Sequence, residues 1–180
     1  DLRKVAVSSF LGNFIEWFDY ASYSYFATTI ALVFFPTDNH TVAMLQTFGV
    51  FALSFILRPI GALFWGSYGD KKGRKAVLAH SIMFMSGASF LIGCLPSYSV
   101  IGVGAPILLL LLRMVQGFSA SGEYAGAATF LGEYAPTSKR GIYCSLIPAS
   151  TAIGLLAGST LATLMTANMN SSAMVGWGWR

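Results

Sequence analysis

The chain has 180 residues, of which 55% are hydrophobic and 10% charged, with mean hydropathy +0.64 and a formal net charge of +4. Soluble domains carry about 25% charged residues, so this balance excludes a soluble globular domain and points to an integral membrane protein. The excess cations gather at the ends of apolar stretches, which excludes a nucleic-acid-binding footprint.

Taken in order, the chain predicts five membrane-spanning helices, an all-α membrane fold. The first covers about 5–35 and ends at Pro36. It is too long for a signal peptide and carries two acids, Glu16 and Asp19. The connection that follows holds Asp38 and His40 and no Lys or Arg. A second helix over about 42–68 runs into Gly66-Ser-Tyr-Gly-Asp-Lys-Lys-Gly-Arg-Lys75. Gly66, Gly69 and Gly73 permit a sharp reversal there, and Lys71, Lys72, Arg74 and Lys75 keep the turn in water. The third helix covers about 76–95 and stops at Pro96. An uncharged loop follows, then a fourth helix over about 107–134, a basic turn with Lys139 and Arg140, and a fifth helix over about 142–167. A polar loop leads to Trp177-Gly178-Trp179-Arg180. The chain opens without Met and stops soon after its fifth span, and it reads as an excised piece.

Charge fixes the expected orientation. Arg3, Lys4, Lys71, Lys72, Arg74, Lys75, Lys139 and Arg140 all fall on one side, and the loops after the first and third helices hold no Lys or Arg. The positive-inside bias places the N-terminus and both basic turns in the cytoplasm. Cys94 and Cys144 then lie near opposite faces, too far apart for a disulfide. The sequons at Asn39 and Asn170 fall on the outer side and are short enough to arise by chance.

Five charges lie inside the predicted spans: Glu16, Asp19, Arg58, Arg113 and Glu123. Each costs about 2.5–3.5 kcal/mol on the insertion scale, so each needs a partner or an aqueous cavity. At 1.5 Å per residue, Glu16, Asp19, Arg58 and Glu123 share one depth, with Arg113 nearer the outer face. Helical spacing groups Asn13, Glu16, Tyr20 and Tyr23 on one stripe, with Asp19 on an adjoining face. Thr47, Ser54, Arg58, Gly61 and Trp65 make a second stripe, and Arg113, Gln116, Ala120 and Glu123 a third. These stripes mark a cavity for solute or protons, against the plainer reading of ion pairs that only fix packing. Glu16 is the acid expected to pair with Arg58. His80 reads as an interfacial side chain, and Gly154 with Gly158 as a close-packing helix face. No cluster has metal-ligand spacing, and no phosphate-cradling loop is present, so nothing indicates an enzyme, a metal or an organic cofactor.

Several motifs together carry a resemblance. They are Leu11-Gly12-Asn13, Glu16-Trp17-Phe18-Asp19-Tyr20, Phe34-Phe35-Pro36 and Arg58-Pro59-Ile60-Gly61 in the first two spans. Gly69-Asp70 and Gly73-Arg74-Lys75 in the basic turn, Gln116-Gly117-Phe118-Ser119, Gly122-Glu123-Tyr124, Glu133-Tyr134-Ala135-Pro136 and Arg140-Gly141 continue them. The chain resembles the metabolite:H⁺ symporter family of the major facilitator superfamily over nearly all its length. One departure is Ser121, where that family usually has the first glycine of Gly-Gly-Glu.

The resemblance implies twelve helices in two six-helix halves that rock around a midplane site. This chain would supply five helices of the N-terminal bundle, and the C-terminal half would be its missing partner. The expected activity is proton-coupled symport of a small organic solute, a zwitterionic osmolyte or a carboxylate, across a bacterial inner membrane. The proton is the coupling ion, and no other cofactor is implied. Asp19 and Glu123, then Glu16, are the candidate proton carriers, while Arg58 and Arg113 bind a carboxylate or neutralise the acids. Gly66, Gly69, Asp70, Gly73, Arg74 and Lys75, with Glu133 and Arg140, would form the cytoplasmic gate. The alternative is a membrane assembly or receptor subunit that transports nothing.

Overall fold

The computed structural model describes residues 2–180, less the side chains of residues 2, 4, 5, 123–125 and 130. Every regular element among the described residues is helical. In chain order these are α1 (Leu2–Tyr25), α2 (Ala27–Phe34), α3 (His40–Lys72), α4 (Arg74–Cys94), α5 (Tyr98–Ile101), α6 (Gly104–Ala120), α7 (Glu123–Tyr134) and α8 (Arg140–Asn168). A short turn at Ser171–Ala173 and a π-helical turn at Met174–Gly178 close the chain.

Two predicted helices are each divided. The first bends at Phe26, between α1 and α2, yet Phe26 N–H still donates to the Ser22 carbonyl (2.9 Å) and Ile30 N–H to the Phe26 carbonyl (2.8 Å). Backbone pairing thus runs through the bend, as it must where no water satisfies the peptide groups. The fourth divides at Ser121-Gly122, where both residues keep right-handed helical angles and Gly122 N–H donates to the Ser119 carbonyl at 3.3 Å, a local tightening. The indole of Trp65 stands against Gly122, within 2.7 Å of where a Cβ would sit, so glycine is needed there. The loop before α6 also carries one helical turn, α5.

Length and hydropathy alone suffice for membrane crossing at His40–Lys72, Arg74–Cys94 and Thr137–Asn168. The outer faces match that setting, since Leu63, Phe90 and Val100 project outward with more than 70% of their surface exposed. Asn39 caps α3, its side-chain oxygen accepting from the N–H groups of Thr41 (3.0 Å) and Val42 (3.3 Å). Gly73 closes α3 and opens α4 at φ 88°, a left-handed angle that suits glycine, and its N–H donates to the Gly69 carbonyl. Both cysteines are free thiols.

Two close helix contacts organise the interior. Gly154 and Gly158 of α8 lie against α1, where added Cβ atoms would come 2.7 Å from the Phe14 carbonyl oxygen and from the Ala21 Cβ. Gly117 of α6 lies against the Ser54 carbonyl of α3, and Gly61 of α3 against Ser121 and the Phe118 carbonyl. Small residues let the backbones approach, and dispersion with Cα–H contacts then holds the helices without a hydrophobic driving force. The main core joins Tyr23, Phe26, Ile30 and Phe34 to Val50, Leu109 and Trp179.

Candidate functional site

Among the described residues, the charges inside the bundle are sorted into two pairs. Glu16, 1% exposed, accepts through Oε1 from Arg58 Nη2 at 2.6 Å. The same nitrogen donates to the Tyr20 hydroxyl at 2.6 Å, and the guanidinium lies over the Phe55 ring, 4.5 Å from its centroid. Arg58 thus lies beside an anion and two aromatic faces, contacts that offset part of its desolvation.

Asp19, three residues on, faces a different neighbour. Its Oδ2 accepts from Arg113 Nη1 at 2.6 Å, and Arg113 lies 3.9 Å over the Tyr23 ring. Tyr23 in turn donates to the Thr47 carbonyl at 3.0 Å, which fixes the ring. Gln116 Nε2 stands 3.4 Å from Asp19 Oδ2 and donates to Ser89 Oγ at 2.7 Å. Ser89 then has its hydrogen for Asp19 Oδ1, at 3.4 Å. Side chains from α1, α4 and α6 meet at this carboxylate. Arg113, placed nearer the outer face by the residue count, reaches it with its long side chain.

A cavity of about 430 Å³ opens beside the first pair, lined by Glu16, Trp17, Arg58, Pro59, Ala62, Ala120 and Ser121. Its size suits a small organic ligand. Glu16 Oε2 and Arg58 Nε are buried and have no protein partner among the described residues. One acceptor on an anion and one donor on a cation are thus left over on two residues that line the cavity, both atoms themselves buried. Ser121, the departure noted in the sequence, lines it while donating its own hydrogen to the Phe118 carbonyl at 2.7 Å.

The other predicted site residues are placed as follows. Asn13 shares the stripe of Glu16 yet turns to α8, where its Nδ2 donates to the Ile147 carbonyl and approaches the Ser150 and Thr151 hydroxyls at 2.8 Å. It joins helices and does not line the cavity. The side chain of Glu123 lies outside the described residues. The expected turn over 66–75 narrows to Gly73 alone, since Gly66, Gly69 and Asp70 continue α3 and Arg74 and Lys75 open α4. Asp70 pairs with Arg74 at 3.5 Å, both exposed. Gly66 has open space around it, Gly69 packs on Val77 and Arg74, and Lys75 is exposed. Glu133 and Arg140 are exposed too, and among the described residues no ion pair links them to that turn. His80 donates from Nδ1 to the Ala76 carbonyl at 2.6 Å, at the ring edge of Tyr68. Ser89 was missed by the sequence reading. Its only signal was a hydroxyl about 22 Å along α4 from Arg74, near the shared depth of the charges.

Comparisons with known proteins bear on what such a bundle belongs to. The sequence model of the sugar (and other) transporter family matches residues 4–180. The chain is 42% identical over 179 residues to the proline/betaine transporter of Salmonella typhimurium and to the glycine betaine/proline/ectoine/pipecolic acid transporter OusA of Dickeya dadantii. It is equally similar to the putative proline/betaine transporter of Staphylococcus aureus. Each match covers 99% of this chain but only 36%, 36% and 38% of the relative, so the chain spans little more than a third of their length. No solved structure matches it. With its helical fold and a match that runs from residue 4 to the last, the chain belongs to the sugar (and other) transporter family of the major facilitator superfamily.

Proposed function

We propose that this chain is part of one half of a secondary transporter that carries a small zwitterionic solute together with a proton. One observation carries the reading: two acids three residues apart on α1 are held by arginines from different helices, and only one pair borders the cavity. That division suits two tasks. Glu16 and Arg58, with one acceptor and one donor left over, complement the ammonium and carboxylate of an amino-acid-like zwitterion. The names of the relatives, proline/betaine transporters, support the same class of solute. A carboxylate without an ammonium would use Arg58 and leave Glu16 Oε2 unanswered.

Asp19 is the proton carrier in this reading. Its side chain is one-fifth exposed, so water can reach it, and a proton on the carboxylate would discharge its pair with Arg113. A pair that forms and breaks biases two arrangements of the helices that bear it, which is what alternating access between two halves requires. The N-terminus and both basic turns face the cytoplasm of a bacterial inner membrane, and Asp70 with its neighbouring cations acts at the inner gate.

The test is uptake of labelled proline and glycine betaine by the full-length protein in proteoliposomes under an imposed pH difference. An uncoupler should collapse accumulation while exchange at equal concentrations persists. Asp19→Asn should behave like the uncoupled protein. Accumulation by Asp19→Asn, Glu16→Gln and Glu123→Gln alike would move the proton site out of this chain.

A further inference from the structure

We propose that Ser89 of α4, acting with Gln116, is a positioning residue that holds the Asp19 carboxylate for proton transfer. The inference rests on the reading of Asp19 and Arg113 as the coupling pair.

Hydrogen-bond polarity around Asp19 runs one way. Gln116 is fully buried, and its amide stands between the Asp19 carboxylate and the Ser89 hydroxyl. A flipped amide would set its oxygen against a carboxylate oxygen, so the Nε2 side must face Asp19. Ser89 Oγ accepts from that nitrogen at 2.7 Å, which leaves its single hydrogen for Asp19 Oδ1 at 3.4 Å. Arg113 and Gln116 hold Oδ2, whereas Ser89 donates to Oδ1. One strong contact at 2.6 Å fixes an oxygen but not the plane of the group, and the second contact fixes the plane.

The hydroxyl also suits the other state of the carboxylate. A proton delivered to Oδ1, the oxygen away from Arg113, forms an O–H bond there. The Ser89 hydrogen must then rotate away, and its second lone pair accepts from the new O–H while the first still accepts from Gln116. A hydroxyl can do both, and a methyl can do neither. Among the described residues, the charged groups near Asp19 are Arg113 of α6 and, one turn back on α1, Glu16 with its Arg58 of α3. At this carboxylate α4 supplies a hydroxyl and no charge.

Threonine and valine have nearly the same shape, so Ser89→Thr and Ser89→Val in the full-length protein separate the hydroxyl from bulk. Labelled proline is followed in proteoliposomes, both as accumulation under a pH difference and as exchange at equal concentrations. Ser89→Val should lower accumulation about 3–10-fold, the scale of one hydrogen bond, and further than it lowers exchange. Ser89→Thr should restore most of that loss. Equal behaviour of the Thr and Val variants, or a parallel fall of accumulation and exchange, would overturn the positioning role. Undiminished accumulation by Asp19→Asn would instead overturn the coupling pair on which it rests.

Discussion

Glu16 and Asp19 stand one turn apart on α1, and their carboxylates are held by Arg58 of α3 and Arg113 of α6, each at 2.6 Å. A single helix thus offers two acids to two different neighbours. The Glu16 side chain is sealed at 1% exposure, whereas that of Asp19 is 20% exposed. The arginines reverse that order, Arg58 at 26% and Arg113 at 4% exposure, so each pair has one sealed member and one that water reaches.

Removing one member of the Glu16–Arg58 pair should harm the protein more than removing both. Arg58→Met leaves Glu16 buried and uncompensated, which costs about 3–5 kcal/mol. The double variant Glu16→Gln with Arg58→Met should recover most of that loss. Thermal unfolding of the full-length protein in detergent measures both, and equal melting temperatures for the single and double variants would count against a desolvated pair.

Glycine substitutions should divide by contact. A methyl at Gly117 has no room against the Ser54 carbonyl, and Gly117→Ala should destabilise by about 1–3 kcal/mol. Nothing lies within 4 Å of a Cβ at Gly87, so Gly87→Ala should be neutral or stabilise by up to about 1 kcal/mol. Melting temperatures of the two variants check the sign of each.

Asp70→Asn should leave expression and melting temperature unchanged, because its pair with Arg74 is exposed and solvent-screened. Solute turnover should nonetheless slow if Asp70 is, as proposed, the acid of the inner gate. Wild-type uptake rates in Asp70→Asn would reduce the turn to a connector.

Orientation is open to thiol chemistry. Cys94 is exposed and Cys144 half-buried, so both must first be replaced. Single cysteines at Lys72 and Ser138 should then resist an impermeant thiol reagent added outside intact cells, and one at Asp38 should react. The reverse pattern would invert the topology.

Much of the fold was legible because its signals are local. Pro36 and Pro96 mark helix ends by covalent geometry, and Gly73 adopts a positive φ, whereas Gly66 and Gly69, expected to share that reversal, stay helical inside α3. The pair of Glu16 with Arg58 was also legible, since both stand at one depth on facing polar stripes. Partner choice elsewhere was not, because it depends on helix rotation and side-chain reach. Asn13 shares a stripe with Glu16, but α1 is covered on more than one side, and Asn13 meets α8. Arg113 seemed too shallow until its side chain was seen to span the difference. Ser89 carried no charge to single it out, and only its three-dimensional neighbours give it a role. The glycine pair on α8 announced a close approach but not that α1 would be the helix approached.

The glycine contacts also divide the bundle mechanically. α1 and α8 touch backbone to backbone at Gly154 and Gly158, and α3 and α6 do so at Gly117 and Gly61. Neither contact leaves slack, so any relative movement of the helices should carry each couple as a unit. Both ion pairs cross the seam between the units, because their acids ride on α1 and their arginines on α3 and α6. Any shear between the units must stretch two short charged contacts at once, unless one has first been neutralised. Protonating Asp19 would remove one of the two fasteners, and a solute answering Glu16 and Arg58 would loosen the other.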